Sequence, residues 1–179
     1  MAEFSRAINT ILKNEGGYVN NPNDPGGETN YGISKRSFPD VDIRNLTQEK
    51  AIAIYRASYW GKYPLLDQLD SQEVATKVFD LMVNMGGPAA IKILQQSIND
   101  ASLACVVGTD GRFGPATVQH ANELDPDRLL NAIRTNAARF YCDIVKRKPS
   151  QNEFLRTWLL RAYDRPYSKK EPTPICPAD

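Results

Sequence analysis

The residue best suited to acid catalysis in this sequence is Glu15, which lies in the segment 14–18, Asn-Glu-Gly-Gly-Tyr. The two glycines after it are typical of a helix C-terminus, so the carboxyl group falls at or just beyond a last turn. A helix end carries partial negative charge, which opposes ionisation of an acid and raises its pKa. An acid that stays protonated near neutral pH can serve a glycosidase as general acid. The alternative is a surface glutamate with no role.

A second group with catalytic potential follows in the segment 18–34, which is dense in Asn, Asp, Pro and Gly, the residues of tight turns. There Asp24 and Thr29 combine a carboxylate with a nearby hydroxyl. A glycosidase needs a second group across the scissile bond, and this combination suits a site that holds the attacking water. Glu28 is the reserve candidate for the second carboxylate. The alternative is an aspartate that only caps its own turn.

Helices and one short ribbon must position these groups. Apolar residues recur at helical spacing from Phe4 to Leu12, so a first helix ends close to Glu15. Val19 and residues 29–33 are predicted to pair as a ribbon around 24–27. Further helices are predicted after the capping residues Thr47, Ser71, Asp125 and Ser150, and over 115–122. Since no other segment alternates as a strand does, we expect a mainly α fold with a small β-ribbon at the active site.

The spacing of the candidate residues resembles that of known wall-degrading enzymes. Glu15, eight residues, Asp24, four residues and Thr29 resemble the signature of phage-type lysozymes, shortened by one residue between the last two. The longer string from Glu15 to Ile33 is more similar to glycoside hydrolase family 108. That resemblance continues through Tyr59-Trp60, residues 79–86 and the segment 110–115, Asp-Gly-Arg-Phe-Gly-Pro, and covers residues 3–165.

The resemblance implies a lysozyme-like helical fold and N-acetylmuramidase activity, with Glu15 as the general acid. Family 108 comprises bacterial and phage N-acetylmuramidases, some of which are called secretion activator proteins. We therefore expect a hydrolase of the β-1,4 bond between N-acetylmuramic acid and N-acetylglucosamine, like the endolysins of phages and prophages. Two alternatives stay open: a catalytically silent peptidoglycan-binding or secretion-accessory protein, and a chitinase-like glycosidase.

Aromatic and polar side chains near this site are candidates for substrate contacts. Trp60 could stack on a sugar ring or belong to the core, because aromatic residues at helical spacing serve both purposes. Asp80 and Asn84, four residues apart on one helical face, could form an internal pair. Alternatively, as the resemblance implies for Asn84, they could line the cleft. The predicted substrate-binding residues are Tyr18, Asn30, Tyr31, Trp60, Asp80 and Asn84.

Composition narrows the classes of partner and cofactor. The 22 basic and 21 acidic residues leave a net charge of +1, which gives no electrostatic case for nucleic acid or an anionic membrane. Cys105, Cys142 and Cys176 are too few and too scattered for a disulfide framework, so we expect reduced thiols. They also lack the spacing of a metal site, and His120 is the only histidine. We predict no metal and no cofactor.

The sequence divides into three predicted regions. Residues 1–87 form a muramidase catalytic region, residues 88–165 a helical region that resembles a peptidoglycan-binding domain, and residues 166–179 a Pro-rich tail. We expect the first two to pack as one compact body with a cleft between them. The 110–115 turn either binds the wall or completes the core, and the core role is slightly favoured.

The expected place of action follows from what the sequence lacks. The N-terminus has no basic region followed by an apolar run, as a signal peptide would, and no segment approaches the roughly twenty apolar residues of a membrane span. We expect synthesis in the cytoplasm and action at the cell wall or periplasm after release through a holin, secretion or lysis. The expected form is a monomer that binds peptidoglycan glycan strands and does not insert stably into membranes.

Overall fold

A computed structural model describes residues 1–14, 17–20, 27–164 and 176–177. The chain separates into two units, Met1–Gly87 and Pro88–Asp179. Within the described ranges it forms seven α-helices and one two-stranded sheet, which confirms the predicted mainly α, lysozyme-like fold. None of the described helices is long and apolar enough to cross a membrane.

The regular elements follow the chain in a simple order. The first unit contains α1 (Phe4–Asn14), β1 (Thr29–Asn30), β2 (Ile33–Ser34), α2 (Gln48–Ser58) and α3 (Gln72–Met85), with 3-10 turns at Trp60–Lys62 and Pro64–Gln68. The second contains α4, which begins at the boundary (Gly87–Ser102), α5 (Pro115–Asn122), α6 (Pro126–Arg147) and α7 (Asn152–Ala162), with a 3-10 turn at Pro149–Gln151.

Polar side chains start three of the helices where the sequence predicts. The Thr47 hydroxyl accepts from the Lys50 N–H at 3.4 Å, and Ser71 and Asp125 act in the same way on α3 and α6. Such N-caps satisfy backbone donors that the first helical turn leaves unpaired. The predicted cap at Ser150 is wrong. A 3-10 turn occupies residues 149–151, so α7 begins at Asn152 without a side-chain cap.

The core of the first unit joins α1 to α3. Phe4 of α1 contacts Trp60 and Phe79, whose rings lie 5.2 Å apart and almost perpendicular, an arrangement that aromatic pairs favour. At the start of both helices, the Glu3 N–H donates to Gln72 Oε1 at 2.8 Å, and Gln72 Nε2 donates back to the Glu3 carbonyl. These contacts hold α1 firmly on α3, and α1 ends at Asn14, immediately before Glu15.

In the second unit α6 packs along α7, and a disulfide joins α6 to the tail. Cys142 bonds to Cys176 with 6.0 Å between the Cα atoms, and Cys105 is free and exposed. The prediction of reduced thiols is therefore wrong for two of the three cysteines. The two partners are 34 residues apart, and no spacing rule pairs a buried helix residue with a residue near the chain end.

Candidate active site

The best-defined part of the candidate site is the hairpin β1–β2. Thr29 pairs with Ser34 and Asn30 with Ile33, leaving Tyr31 and Gly32 as a two-residue turn. Both turn residues have positive φ, 50° and 74°, the pattern that a type I′ turn requires. Glycine adopts this backbone easily, but tyrosine rarely does. The Tyr55 hydroxyl on α2 donates to the Tyr31 carbonyl at 2.9 Å and so holds the turn in place.

Val19 adds a third pairing to this hairpin. Its N–H donates to the Thr29 carbonyl at 2.8 Å, and the Thr29 N–H donates to the Val19 carbonyl at 2.9 Å. The predicted pairing of Val19 with the segment that starts at Thr29 is confirmed. Thr29 is thereby fixed on both sides, by Val19 and by Ser34, and its hydroxyl makes a long contact, 3.5 Å, with the Gly27 carbonyl.

Two of the three predicted catalytic residues, Glu15 and Asp24, lie outside the described residues. Their roles as acid and water-holding carboxylate stay predictions. The chain positions closest to them that the structure describes are Asn14, at the end of α1, and Gly27, two residues before β1. Both predicted carboxylates therefore follow or precede backbone that is anchored in the first unit.

Glu28 and Tyr18 form a side-chain pair beside the Val19–Thr29 bridge. The Tyr18 hydroxyl donates to Glu28 Oε1 at 3.1 Å. Partial desolvation of the phenol, followed by the hydrogen bond and negative charge of Glu28, raises the pKa of Tyr18. The nearby Arg44 acts in the opposite direction. The reserve carboxylate therefore has a defined partner, which sequence spacing did not reveal.

Three of the predicted substrate contacts, Asn30, Trp60 and Asp80, are buried within the first unit. Asn30 is buried, and its amide donates to the carbonyls of Ile43 at 3.1 Å and Leu46 at 3.4 Å. It therefore ties the hairpin to the loop before α2 and offers little surface to a sugar. Trp60 is only 4% exposed, and its indole N–H donates to Asp67 at 2.8 Å, which agrees with the core alternative rather than the stacking one.

Asp80 and Asn84 differ in their surroundings although they share a helix face. Asp80 is 2% exposed and forms an ion pair with Lys77, 3.9 Å away and equally buried. Asn84 lies exposed near the end of α3. A charged residue without exposure cannot contact a substrate directly, so of the two only Asn84 is accessible. Lys77 was missed as part of this arrangement, although its position three residues before Asp80 is a usable signal.

Tyr18 and Tyr31 stay accessible candidates. The Tyr18 side chain is 42% exposed, and that of Tyr31 is half-buried at the hairpin turn. Tyr18 precedes Val19, which pairs with Thr29, and Tyr31 lies in the turn between β1 and β2. The structure therefore brings Tyr18, Glu28, Thr29 and Tyr31 into one region. Among the described residues, no group of three or more histidine, cysteine, aspartate and glutamate side chains could hold a metal ion.

The segment 110–115 in the second unit has an internal role. Gln95, which is buried on α4, donates to Asp110 Oδ1 at 2.9 Å and to the Arg112 carbonyl at 3.1 Å, and accepts from the Gly111 N–H at 2.9 Å. Gly111 has a φ of 78°, and a Cβ there would lie 2.9 Å from the Pro88 carbonyl. The Arg112 N–H and then Gln95 lower the pKa of Asp110. This geometry supports the core role.

Comparison with known proteins adds an independent observation. Residues 8–86 match the family described as Glycosyl hydrolase 108, and residues 89–163 match a family described as a predicted peptidoglycan domain. SagA of Brucella abortus is a similar solved structure, with 27% identity and a TM-score of 0.65, covering 90% of this chain and 94% of its own. A comparison with curated proteins finds no match.

Proposed function

Because residues 8–86 match the family described as Glycosyl hydrolase 108, we propose that this chain belongs to that family and cleaves the β-1,4 bond between N-acetylmuramic acid and N-acetylglucosamine. The two family matches support a peptidoglycan-related glycoside hydrolase, and the bond that it cleaves is the more specific part of the hypothesis. The observation that carries the proposal is the family match over residues 8–86, which contain Glu15, Asp24 and Thr29. The match of residues 89–163 to a peptidoglycan domain supports the same polymer.

In the proposed mechanism Glu15 donates its proton to the leaving glycosidic oxygen. Asp24 and Thr29 hold a water on the opposite face of the sugar, and this water attacks the anomeric carbon while Asp24 accepts its proton. The reaction then inverts the anomer, for which the two carboxyl groups must lie roughly 6.5–9.5 Å apart. The rigid backbone of Thr29, bonded to Val19 on one side and paired with Ser34 on the other, is suited to orienting a water molecule.

Glu28 is the competing second carboxylate. The hydrogen bond from Tyr18 fixes one of its carboxylate oxygens. Glu28 could therefore either orient Tyr18 or take part in the reaction itself. The stereochemistry of the product, followed by NMR at early times, separates direct attack from water activation. A retained anomer would require an attacking carboxylate about 5 Å from the acid and would remove the water-holding role of Asp24.

The decisive experiment compares the natural chain with Glu15→Gln on purified peptidoglycan. The variant preserves shape and hydrogen bonding but cannot donate the proton. We expect the natural chain to clear turbidity and release reducing ends, and the variant to lose about 10²–10⁴-fold in rate while it still binds peptidoglycan. The second catalytic group is identified by comparing the loss of activity in three further variants, Asp24→Asn, Glu28→Gln and Thr29→Ala.

The same assay distinguishes the two other candidate functions. A natural chain that binds peptidoglycan but never releases reducing ends would be a silent binding or secretion-accessory protein. Release from chitin oligomers without release from peptidoglycan would make it a chitinase-like glycosidase. Mass analysis of the products tests the bond itself, since a muramidase leaves N-acetylmuramic acid at the reducing end.

We propose an endolysin-like role, of phage or prophage origin, in which the protein reaches the wall or periplasm after synthesis in the cytoplasm. The disulfide between Cys142 and Cys176 supports a place of action outside the cytoplasm, because disulfides persist mainly in oxidising compartments. We propose that it works as a monomer. Sedimentation at working concentrations and a search for the protein in culture supernatant before and after lysis test these points.

A further inference from the structure

Three aromatic side chains of the second unit form an ordered stack. Tyr141 on α6 and Trp158 on α7 lie 5.4 Å apart with their planes 23° from parallel, and Phe154 on α7 lies 5.7 Å from Trp158 at 29°. We call these residues the aromatic stack. Phe154 and Trp158 are four residues apart on one helix, so they lie on the same face.

The stack runs from the interior to the surface. Tyr141 is 1% exposed, Trp158 is half-buried and Phe154 is 44% exposed. Its inner end is further held by Phe140, whose ring meets Tyr141 edge to face at 5.9 Å. The outermost ring is therefore supported from below by two others, and its orientation is restricted by packing before anything binds to it.

This arrangement differs from an isolated exposed apolar residue. Leu103, in the same unit, is 83% exposed and lies just beyond the end of α4, outside the aromatic stack. Single exposed residues of that kind are common and need no function. An exposed aromatic ring that packs on stacked neighbours resembles the aromatic side chains that are enriched at binding interfaces.

We propose that the aromatic stack, which lies in the second unit, is a binding platform for the glycan strand of peptidoglycan. One face of a pyranose ring carries C–H groups that pack against an aromatic face, while its hydroxyls stay in water. The occupant is chosen because all three residues lie within 89–163, the segment that matches a peptidoglycan domain. The proposal rests on the proposed function, since its ligand is that enzyme's substrate.

The test uses the full chain in a Glu15→Gln background, so that the polymer stays intact during binding. Phe154→Ala is compared with Phe154→Tyr, which keeps the aromatic face, and with Leu103→Ala as the matched exposed control. The probe is insoluble peptidoglycan sacculi, and the bound fraction is measured by co-sedimentation. Circular dichroism and thermal melting confirm that each variant is folded.

We expect Phe154→Ala to raise the apparent Kd at least fivefold, with Phe154→Tyr within twofold of the parent and Leu103→Ala unchanged. In the active chain, Phe154→Ala should slow clearing of sacculi but leave kcat/KM on a short soluble glycan oligomer unchanged. Unaltered binding by Phe154→Ala would overturn the proposal. So would equal loss in Phe154→Tyr, or a dimer that Phe154→Ala abolishes without changing binding.

Failure of this inference is distinguishable from failure of the proposed function. A natural chain that cleaves peptidoglycan, with Phe154→Ala binding normally, would refute only the platform. A natural chain that neither cleaves nor releases reducing ends would refute the muramidase, whatever the binding variants do.

Discussion

The two tryptophans show how differently the two units use the same kind of residue. Trp60 in the first unit meets Phe4 and Phe79 edge to face and is almost fully buried. Trp158 in the second unit lies nearly parallel to its two aromatic neighbours. One of these neighbours, Phe154, is exposed. Edge-to-face packing encloses a ring on all sides, whereas a stack leaves its last face open. The arrangement of neighbours, not the residue type, therefore decides which tryptophan adjoins an exposed aromatic ring.

The largest loss of stability is expected from replacing Trp60, whose ring is enclosed in the core. Trp60→Ala removes a buried side chain and its hydrogen bond to Asp67, and should destabilise the first unit by about 3–5 kcal/mol. Phe154→Ala in the second unit should cost less than about 1.5 kcal/mol, because its ring is partly in water already. Urea unfolding followed by calorimetry of both variants measures the contrast. Similar losses would mean that the stack is as much a core as the Trp60 cluster.

The next largest loss of stability is expected from opening the disulfide, which lies in the second unit. Cys176→Ser opens the disulfide, and with a sequence separation of 34 the loss of stability should be about 3–4 kcal/mol in the second unit. The first unit should keep its stability. Cys105→Ser is the control, since Cys105 is free and exposed. Hydrogen exchange resolved along the chain measures both units in one experiment. Equal destabilisation of both units would contradict the prediction that the disulfide stabilises only the second unit.

A smaller effect tests how the hairpin of the first unit is held. Tyr55→Phe removes the donor to the Tyr31 carbonyl and should cost about 1 kcal/mol. Because the turn supports Thr29, amide exchange at Val19 and Thr29 should speed up and wall hydrolysis should slow. Tyr163→Phe, in the second unit, is the control. If those amides exchange as before, the turn is held by its own backbone rather than by Tyr55.

The smallest effect on stability is expected in the second unit, at the turn 110–115. Gln95 holds this turn through its hydrogen bond to Asp110. The Arg112 N–H and Gln95 lower the pKa of Asp110 in the folded state. Such a carboxylate stabilises the fold above its unfolded pKa, about 3.9, and this contribution is lost as the pH falls through the folded value. Asp110→Asn should therefore show a smaller loss of stability below about pH 4 than the natural chain. Equal acid sensitivity in urea titrations would exclude this contribution.

Much of the fold was predictable because helices depend on local patterns. Apolar periodicity and the capping residues Thr47, Ser71 and Asp125 place three helix starts correctly, since a cap acts within one turn of itself. The Val19–Thr29 pairing was also predictable, from the turn-forming residues between them. Ser150 failed because the 3-10 turn at Pro149–Gln151 delays the helix start.

The burial of the predicted site residues was not predictable from the sequence. Spacing singled out Asn30, Trp60 and Asp80, yet each is enclosed and bonded within the first unit. Periodicity cannot tell whether a helical face meets another helix or water. The roles of Glu15 and Asp24 stay predictions for the same site.

The sequence by itself determined the resemblance to glycoside hydrolase family 108, the helical class and the residues with acid–base potential, because these depend on residue identity and on spacing along the chain. Only the tertiary structure decided the pairing of Cys142 with Cys176, the support of the hairpin by Tyr55, and the stack that ends at Phe154. The disulfide and the hydrogen bond from Tyr55 to Tyr31 join residues 34 and 24 positions apart, and the stack joins α6 to α7. Contacts at such separations depend on how helices pack, and no local pattern encodes that packing.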